Sequence, residues 1–194
     1  MCLMDKQRRT ALIAGVGLVG LASAGCTTTG SSATADPVAR KKSIDAAADS
    51  ALTRLYTSAG SRELVQRARG ILIFPNFVGA GFIVGGAAGD GVLRKGGKSV
   101  SYHRMTEASV GFLAGAQSQA VFILFMTDAA LQRFEQSKGW TVGADASVAF
   151  LSMGADARVT SQTANQDVVG FVLTNAGLMA NASLSGNRIT PLGI

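Results

Sequence analysis

Apolar residues recur along this chain with two different periods, and the change between them divides it. From position 37 onward Ile44, Ala48, Ala51, Leu52 and Leu55 fall within about 100 degrees of a helical wheel, which predicts a helix over residues 37–58. After Gly60, Ser61 is expected to cap a short helix with Leu64, Val65 and Ala68 on its apolar side. Arg62, Gln66 and Arg69 lie opposite, and Gly70 is the expected stop. The period then shortens. ILIF at 71–74 and FVGAGFIVGGAAGDGVL at 77–93 read as short strands broken by glycines, and Lys95-Gly96-Gly97-Lys98 reads as a hairpin turn between GVLR and SVSYHRM. Residues 71–89 carry no charge, but Pro75, Asn76 and five glycines cut them into fragments of strand length, which argues against a membrane-spanning helix. Further strands are expected at 108–116 and 119–126; the second, almost wholly apolar, should be central. Thr127 or Asp128 then caps a helix, DAALQRFEQSK, with Leu131 and Phe134 on one side and Gly139 as its end. The remainder (TVGADASVAFLSMG, DARVTSQ, DVVGFVLTNAGLMANASLSG, NRIT) alternates small and apolar residues between turns. The predicted fold class is α+β: a curved, glycine-rich antiparallel sheet, half-barrel-like, packed with a few helices.

The N-terminal pattern is of another kind. MCLMDKQRRTALIAGVGLVGLASAGC has a basic start (Lys6, Arg8, Arg9), an apolar stretch over 11–21 and a small-residue exit, as a secretory signal peptide over 1–25 would. The apolar stretch is shorter than the about 20 residues a spanning helix needs. Ser23-Ala24-Gly25-Cys26 resembles the lipobox of bacterial lipoproteins, although Ser23 stands where a larger aliphatic residue is usual. The resemblance implies that Cys26 is lipidated and becomes the mature N-terminus. The alternative is an ordinary signal cut near Ala24, leaving Cys26 as a lone thiol in an oxidising compartment. Thr27 after the cysteine, by resemblance to enterobacterial sorting, favours the periplasmic face of the outer membrane. Arg8-Arg9 leaves the export route open. Residues 26–36 form the lipidated cysteine and a flexible polar tether, TTTGSSATAD, reaching roughly 33 Å when extended. The folded domain is then 37–194.

Composition narrows the chemistry. The chain has 194 residues, 47% hydrophobic and 15% charged, which fits one globular domain and not a disordered chain. Its 24 glycines against 3 prolines point to turns, bulges and close backbone approaches. His103 is the single histidine and Cys2 and Cys26 are the only cysteines, so any metal site or triad needing two histidines is excluded. GxSxG, HExxH, CxxC and Walker sequences are missing. The expectation is therefore no enzymatic activity, no catalytic residues, no metal and no cofactor. His103 is expected at the surface or a strand edge. Asp145 and Asp156 read as turn or surface acids unless the fold brings them together, and Asn181-Ala182-Ser183 matches a glycosylation sequon that is irrelevant in a bacterium.

Charge is unevenly spread. From Cys26 to Arg104 eleven basic and five acidic residues leave +6, whereas from Met105 onward four basic and six acidic leave −2. Arg40, Lys41 and Lys42 follow the tether, Arg62, Arg67 and Arg69 lie on the short helix, and Lys95 and Lys98 stand at the hairpin tip. These eight are the candidate contacts to anionic lipid headgroups. Each basic side chain near such a surface is worth about 1 kcal/mol, lost with salt. The competing reading is that they are simply solvated faces. With 6% aromatic residues and no binding motif, nucleic acid is a poor partner.

Two stretches, LVQRARGILIFPNFVGAGFIVGGAAGDGVL at 64–93 and SVGFLAGAQSQAVFILFMTDAALQRFEQSKGWTVGADASVAF at 109–150, resemble the SYLF domain, as does VLTNAGLMANASLSGNRI at 172–189. The resemblance implies binding to membrane lipid headgroups, phosphoinositides in eukaryotic members, with actin contact in some fungal ones. The sequence departs from the family where Tyr102-His103-Arg104-Met105 replaces a common tryptophan and proline. A lipid anchor also stands where eukaryotic members have an amphipathic extension. The expected function is that of a membrane-anchored exported lipoprotein binding phospholipids through anionic headgroups. The alternative is an envelope structural or protein-interaction module whose only lipid chemistry is its anchor.

Overall fold

The structure, a computed structural model, describes residues 36–58, 60–81, 84–110, 117–150, 166–174, 177–178 and 186–194. The signal peptide, Cys26, the tether up to residue 35, Asp156 with DARVTSQ, and Asn181-Ala182-Ser183 lie outside the described residues.

Helix α1 (Pro37–Leu55) begins where the Asp36 carboxylate accepts the Val38 N–H at 3.1 Å and Pro37, which has no N–H to satisfy, takes the first helical position. Its 3.6-residue stripe buries Ile44, Ala48, Ala51 and Leu55. Helix α2 (Ser61–Arg67) corrects two expectations. Its N-cap is Gly60, in the left-handed region at φ 76°, and Ser61 is instead the first helical residue. The Ser61 hydroxyl turns back to the end of α1, 2.7 Å from the carbonyl oxygens of both Leu55 and Ser58. At the other end the backbone is already extended at Ala68 (ψ 139°), so Gly70 opens a strand rather than stopping the helix.

Strands β1 (Gly70–Gly81), β2 (Val84–Lys95), β3 (Lys98–Val110) and β4 (Gln117–Phe125) form the centre of a sheet completed by β5 (Trp140–Thr141), β6 (Ala149–Phe150), β7 (Val168–Thr174), β8 (Gly177–Leu178) and β9 (Arg188–Pro191). The order is β5-β9-β3-β2-β1-β4-β7-β6, with β8 on β7; all pairs are antiparallel except β6 with β7, and the sheet curls as a half-barrel. The glycines do not fragment β1 and β2 as the pattern suggested: each runs unbroken for 12 residues. Pro75 lies inside β1, and both neighbours show a register shift there, between Ile73 and Val78 toward β2 and between Phe74 and Phe77 toward β4. A bulge leaves residues unpaired, so a proline without an N–H is tolerated mid-strand. The β2–β3 turn is as expected. Lys95 pairs with Lys98, and Gly96 and Gly97 take φ of 55° and 80°, a two-residue loop only glycine-like residues adopt easily.

Both faces of the sheet are covered, which explains the continuous apolar run in β4. Ala120, Phe122 and Leu124 face one core with Ile71, Ile73, Phe171 and the buried stripe of α1. Val121, Ile123 and Phe125 face the other, with Leu72, Phe74 and Met105 and with helix α3 (Asp128–Gln136), which contributes Ala130, Leu131 and Phe134. Thr127 caps α3, its hydroxyl oxygen accepting the Ala130 N–H at 3.3 Å, and the helix ends at Ser137, before Gly139. Among the described residues no helix is long and apolar enough to cross a membrane.

His103 is a further correction. It is 7% exposed, on a strand flanked by β2 and β9, with its ring centroid 4.9 Å from that of Phe134 on α3. Alternation along β3 turns His103 and Met105 toward the α3 core, and a single histidine in an apolar strand is carried inside with its neighbours. Burial pushes its pKa down to about 4, leaving a neutral imidazole whose Nε2 lies 2.8 Å from the Ser101 hydroxyl.

Candidate functional site

Strand alternation puts Asp90, Val92 and Arg94 of β2 in one row facing α1, beside Tyr102 and Arg104 of β3. The polar side of α1 meets this row. Arg40 bonds to Asp90, and Arg104 grips the same carboxylate with two nitrogens, Nε–Oδ1 at 2.7 Å and Nη2–Oδ2 at 3.2 Å. Burial works to raise the pKa of Asp90, but the bonds from Arg104 and Arg40 outweigh it and hold the carboxyl below its usual range. Asp45 accepts from the Tyr102 hydroxyl and the Ser99 hydroxyl, each at 2.8 Å. Burial and this bond to Asp45 raise the pKa of Tyr102. Arg94 donates to the Asp49 carboxylate and, at 3.2 Å, to the Asp45 carbonyl oxygen. In the segment Tyr102-His103-Arg104-Met105, Tyr102 thus bonds to α1 and Arg104 to the β2 carboxylate that Arg40 of α1 also holds, while the other two residues fill the opposite core.

This network absorbs part of the sequence-predicted set. Arg40 is ion-paired, the Lys41 ammonium lies 5.7 Å from the Tyr102 ring centroid, and Lys95 is 2.9 Å from Glu135 on α3. Arg69 lies 3.5 Å from Asp128, both exposed. Arg62 stacks over the Tyr56 ring at 4.5 Å and stays exposed. Lys42, Arg67 and Lys98 are exposed and form no ion pair among the described residues. Among the described residues Lys42, Arg62, Arg67 and Lys98 are therefore the members of the set without an acidic partner.

Between α1, α2 and the β2–β3 hairpin lies a cleft of about 280 Å³. Leu52 of α1 and Tyr56 just after it, Val65 of α2, Ala68, Ile71 of β1, and Arg94 with the turn glycines of the hairpin line it. Arg62 stands on the Tyr56 side of this cleft, and Lys98 follows its glycines in sequence. Arg94 is the one charged lining residue, and its Nε is buried with no hydrogen-bond partner among the described residues. A second, more polar hollow of about 470 Å³ is bordered by Arg133, Asp145, Ser147 and Asp167. There the Asp145 carboxylate accepts the Thr141 N–H across a turn, and Arg133 lies 3.6 Å from Asp167. Among the described residues no three His, Cys, Asp or Glu side chains converge on a point where a metal could sit.

Sequence reasoning missed Asp45, Asp49 and Arg94. A signal was present for the acids: each follows a buried residue, Ile44 or Ala48, so both border the stripe of α1 that meets the sheet. Arg94 shares a strand face with Val92, but nothing local says that this face is buried.

Residues 106–192 match the family model described as Ysc84, Las17-binding protein actin regulator. No curated protein matches the chain. The matched stretch opens inside β3 and closes just after β9, so the eight candidate lipid contacts, the cleft and both helices packed on that face precede it. The stretches 109–150 and 172–189 that carried the resemblance lie within the match and 64–93 lies outside it; over residues 106–192 the chain is similar to the Ysc84/SYLF family model.

Proposed function

We propose that this chain is an exported bacterial lipoprotein whose domain binds anionic membrane phospholipids, without enzymatic activity and without a cofactor, at the periplasmic face of the outer membrane. Cys26 is the anchor, and a tether reaching roughly 33 Å keeps the domain near the bilayer surface. The observation that carries the reading is the set of exposed cations without an acidic partner among the described residues: Lys42, Arg62, Arg67 and Lys98. Arg40, Lys41 and Lys95 have intramolecular partners and act mainly in holding the fold, and Arg69 is partly neutralised by Asp128. The resemblance to lipid-binding SYLF domains supports the same partner.

Vesicle flotation tests it. The protein should float with phosphatidylcholine vesicles containing phosphatidylglycerol, and should be released by salt, because exposed charges are screened over about 8 Å at physiological ionic strength. Replacing Lys42, Arg62, Arg67 and Lys98 together by Glu should abolish flotation. Equally poor binding to neutral and anionic vesicles at low salt would refute the headgroup reading, and an unmodified thiol at Cys26 in protein isolated from its own cells would refute the anchor. The second reading, an envelope protein-interaction module, is favoured by the matched family's description as a Las17-binding protein. It predicts that the same four substitutions leave flotation unaltered and remove a protein partner.

A further inference from the structure

We propose that the cleft between α1, α2 and the β2–β3 hairpin docks an acidic peptide segment of a partner protein, which seats one aliphatic side chain between Leu52, Val65 and Ile71 and sets its carboxylates against Arg62 and Arg67. The inference deepens the protein-interaction reading above and does not depend on the headgroup reading. The walls of the cleft are largely apolar, and Leu52, Tyr56 and Val65 are only half-buried by the fold itself. A partner side chain entering between them would remove this remaining apolar surface from water, which is the main favourable term in association. A volume of about 280 Å³ is at the lower limit of small-ligand sites and suits a single anchoring side chain.

Charge sets the sign of the partner. Among the described residues no Asp or Glu lines the cleft, and its one charged lining residue, Arg94, is already bound to the Asp49 carboxylate and the Asp45 carbonyl oxygen. Arg62 lies over the ring of Tyr56, and Arg67 stands between the lining residues Gln66 and Ala68. Both are exposed and have no acidic partner among the described residues; Glu63, the one acid of α2, is not part of the lining. An arginine stacked on a tyrosine is also the residue pair in which interfaces concentrate their binding energy. The backbone favours a polypeptide over a lipid. On the hairpin side a methyl group placed on Gly96 or Gly97 would meet nothing within 4 Å, so the turn is open to an approaching chain, and on the α2 side the exposed Gln66 amide is both donor and acceptor. A peptide backbone brings N–H and C=O groups to match both, whereas a phosphate brings acceptors alone.

The test uses the full chain and a fluorescein-labelled peptide, Gly-Asp-Glu-Leu-Glu-Asp, read by anisotropy, with ¹⁵N amide shifts locating the site. The peptide should bind and shift the amides of Gln66, Gly96 and Gly97. Replacing its leucine by serine, or its four acids by the matching amides, should each weaken binding about tenfold. Arg62→Gln, at an exposed position, should also weaken it about tenfold at unchanged Tm, and Val65→Thr about fivefold with vesicle flotation retained. No binding, equal binding of either altered peptide, unaltered affinity in Arg62→Gln, or amide shifts only elsewhere on the chain would each overturn the proposal. So would dihexanoyl phosphatidylglycerol displacing the peptide and shifting the same three amides, which would mark the cleft as a lipid site. The readings fail separately. A protein partner lost on reversing the four surface cations, with no peptide response, leaves the interaction reading and removes the cleft; peptide binding without vesicle flotation leaves the cleft and removes the headgroup surface.

Discussion

His103 is the side chain whose environment departs most from its type. A lone histidine is most often a polar surface residue, yet this one lies against Phe134 with its imidazole held neutral by burial. In the unfolded chain it titrates near 6.5 and in the folded chain at about 4, so between those values the unfolded state binds more protons. Stability should therefore be full above pH 6.5, fall as pH drops toward 4, and change no further through this group below that. Asp90, held below 3.8, adds its own loss only at lower pH. Denaturant midpoints measured at pH 7, 5.5 and 4.5 should fall for the native protein and fall less for His103→Gln; a parallel decline in the two would contradict this. Ser61 teaches a related lesson. Its residue type marks a helix start, but Gly60 supplies the cap, while the hydroxyl bonds to carbonyls three and six residues earlier, beyond what a capping pattern reads.

The glycines of β1 and β2 look in sequence like breaks, and in the sheet they are points of close approach. A Cβ on Gly91 would lie 2.4 Å from the Ile73 carbonyl oxygen and 2.5 Å from Cδ1 of Phe74, and one on Gly89 would lie 2.7 Å from the Asn76 carbonyl oxygen. These positions sit across from the bulge at Pro75 and Asn76, so β2 needs side chains absent where β1 swells toward it. Gly91→Ala should cost about 2–3 kcal/mol through forced backbone displacement, whereas Gly193→Ala, with open space around its Cβ position, should be neutral. Urea unfolding of both variants checks it; equal midpoints would show that the strands relax freely. The same contrast explains α1. Its stripe was readable from spacing alone, but two of its four buried residues are alanines, and much of its attachment comes from Arg40, Asp45 and Asp49, whose partners lie 45 to 57 positions away.

In the molecule as a whole, one sheet serves two cores, with α1 and α2 on one face and α3 on the other. Strands β1, β4 and β7 contribute alternate side chains to both, so neither core can lose its packing while the other keeps it. Tryptophan fluorescence, which reports Trp140 on the α3 side, should follow the same denaturation curve as far-UV circular dichroism; separated midpoints would mean that the two faces unfold independently. The α+β class, the α3 cap, the β2–β3 turn and the centrality of β4 were all legible in the sequence, because each depends on residue types within a few positions of one another. The SYLF resemblance was legible for the same reason, as it rests on long contiguous runs. Which strands adjoin, which of eight cations are neutralised, and that Arg94 is buried against Asp45 and Asp49 depend on contacts between residues dozens of positions apart. Local spacing has no term for such contacts: chain folding brings the charges together, and the burial that follows assigns each its partner.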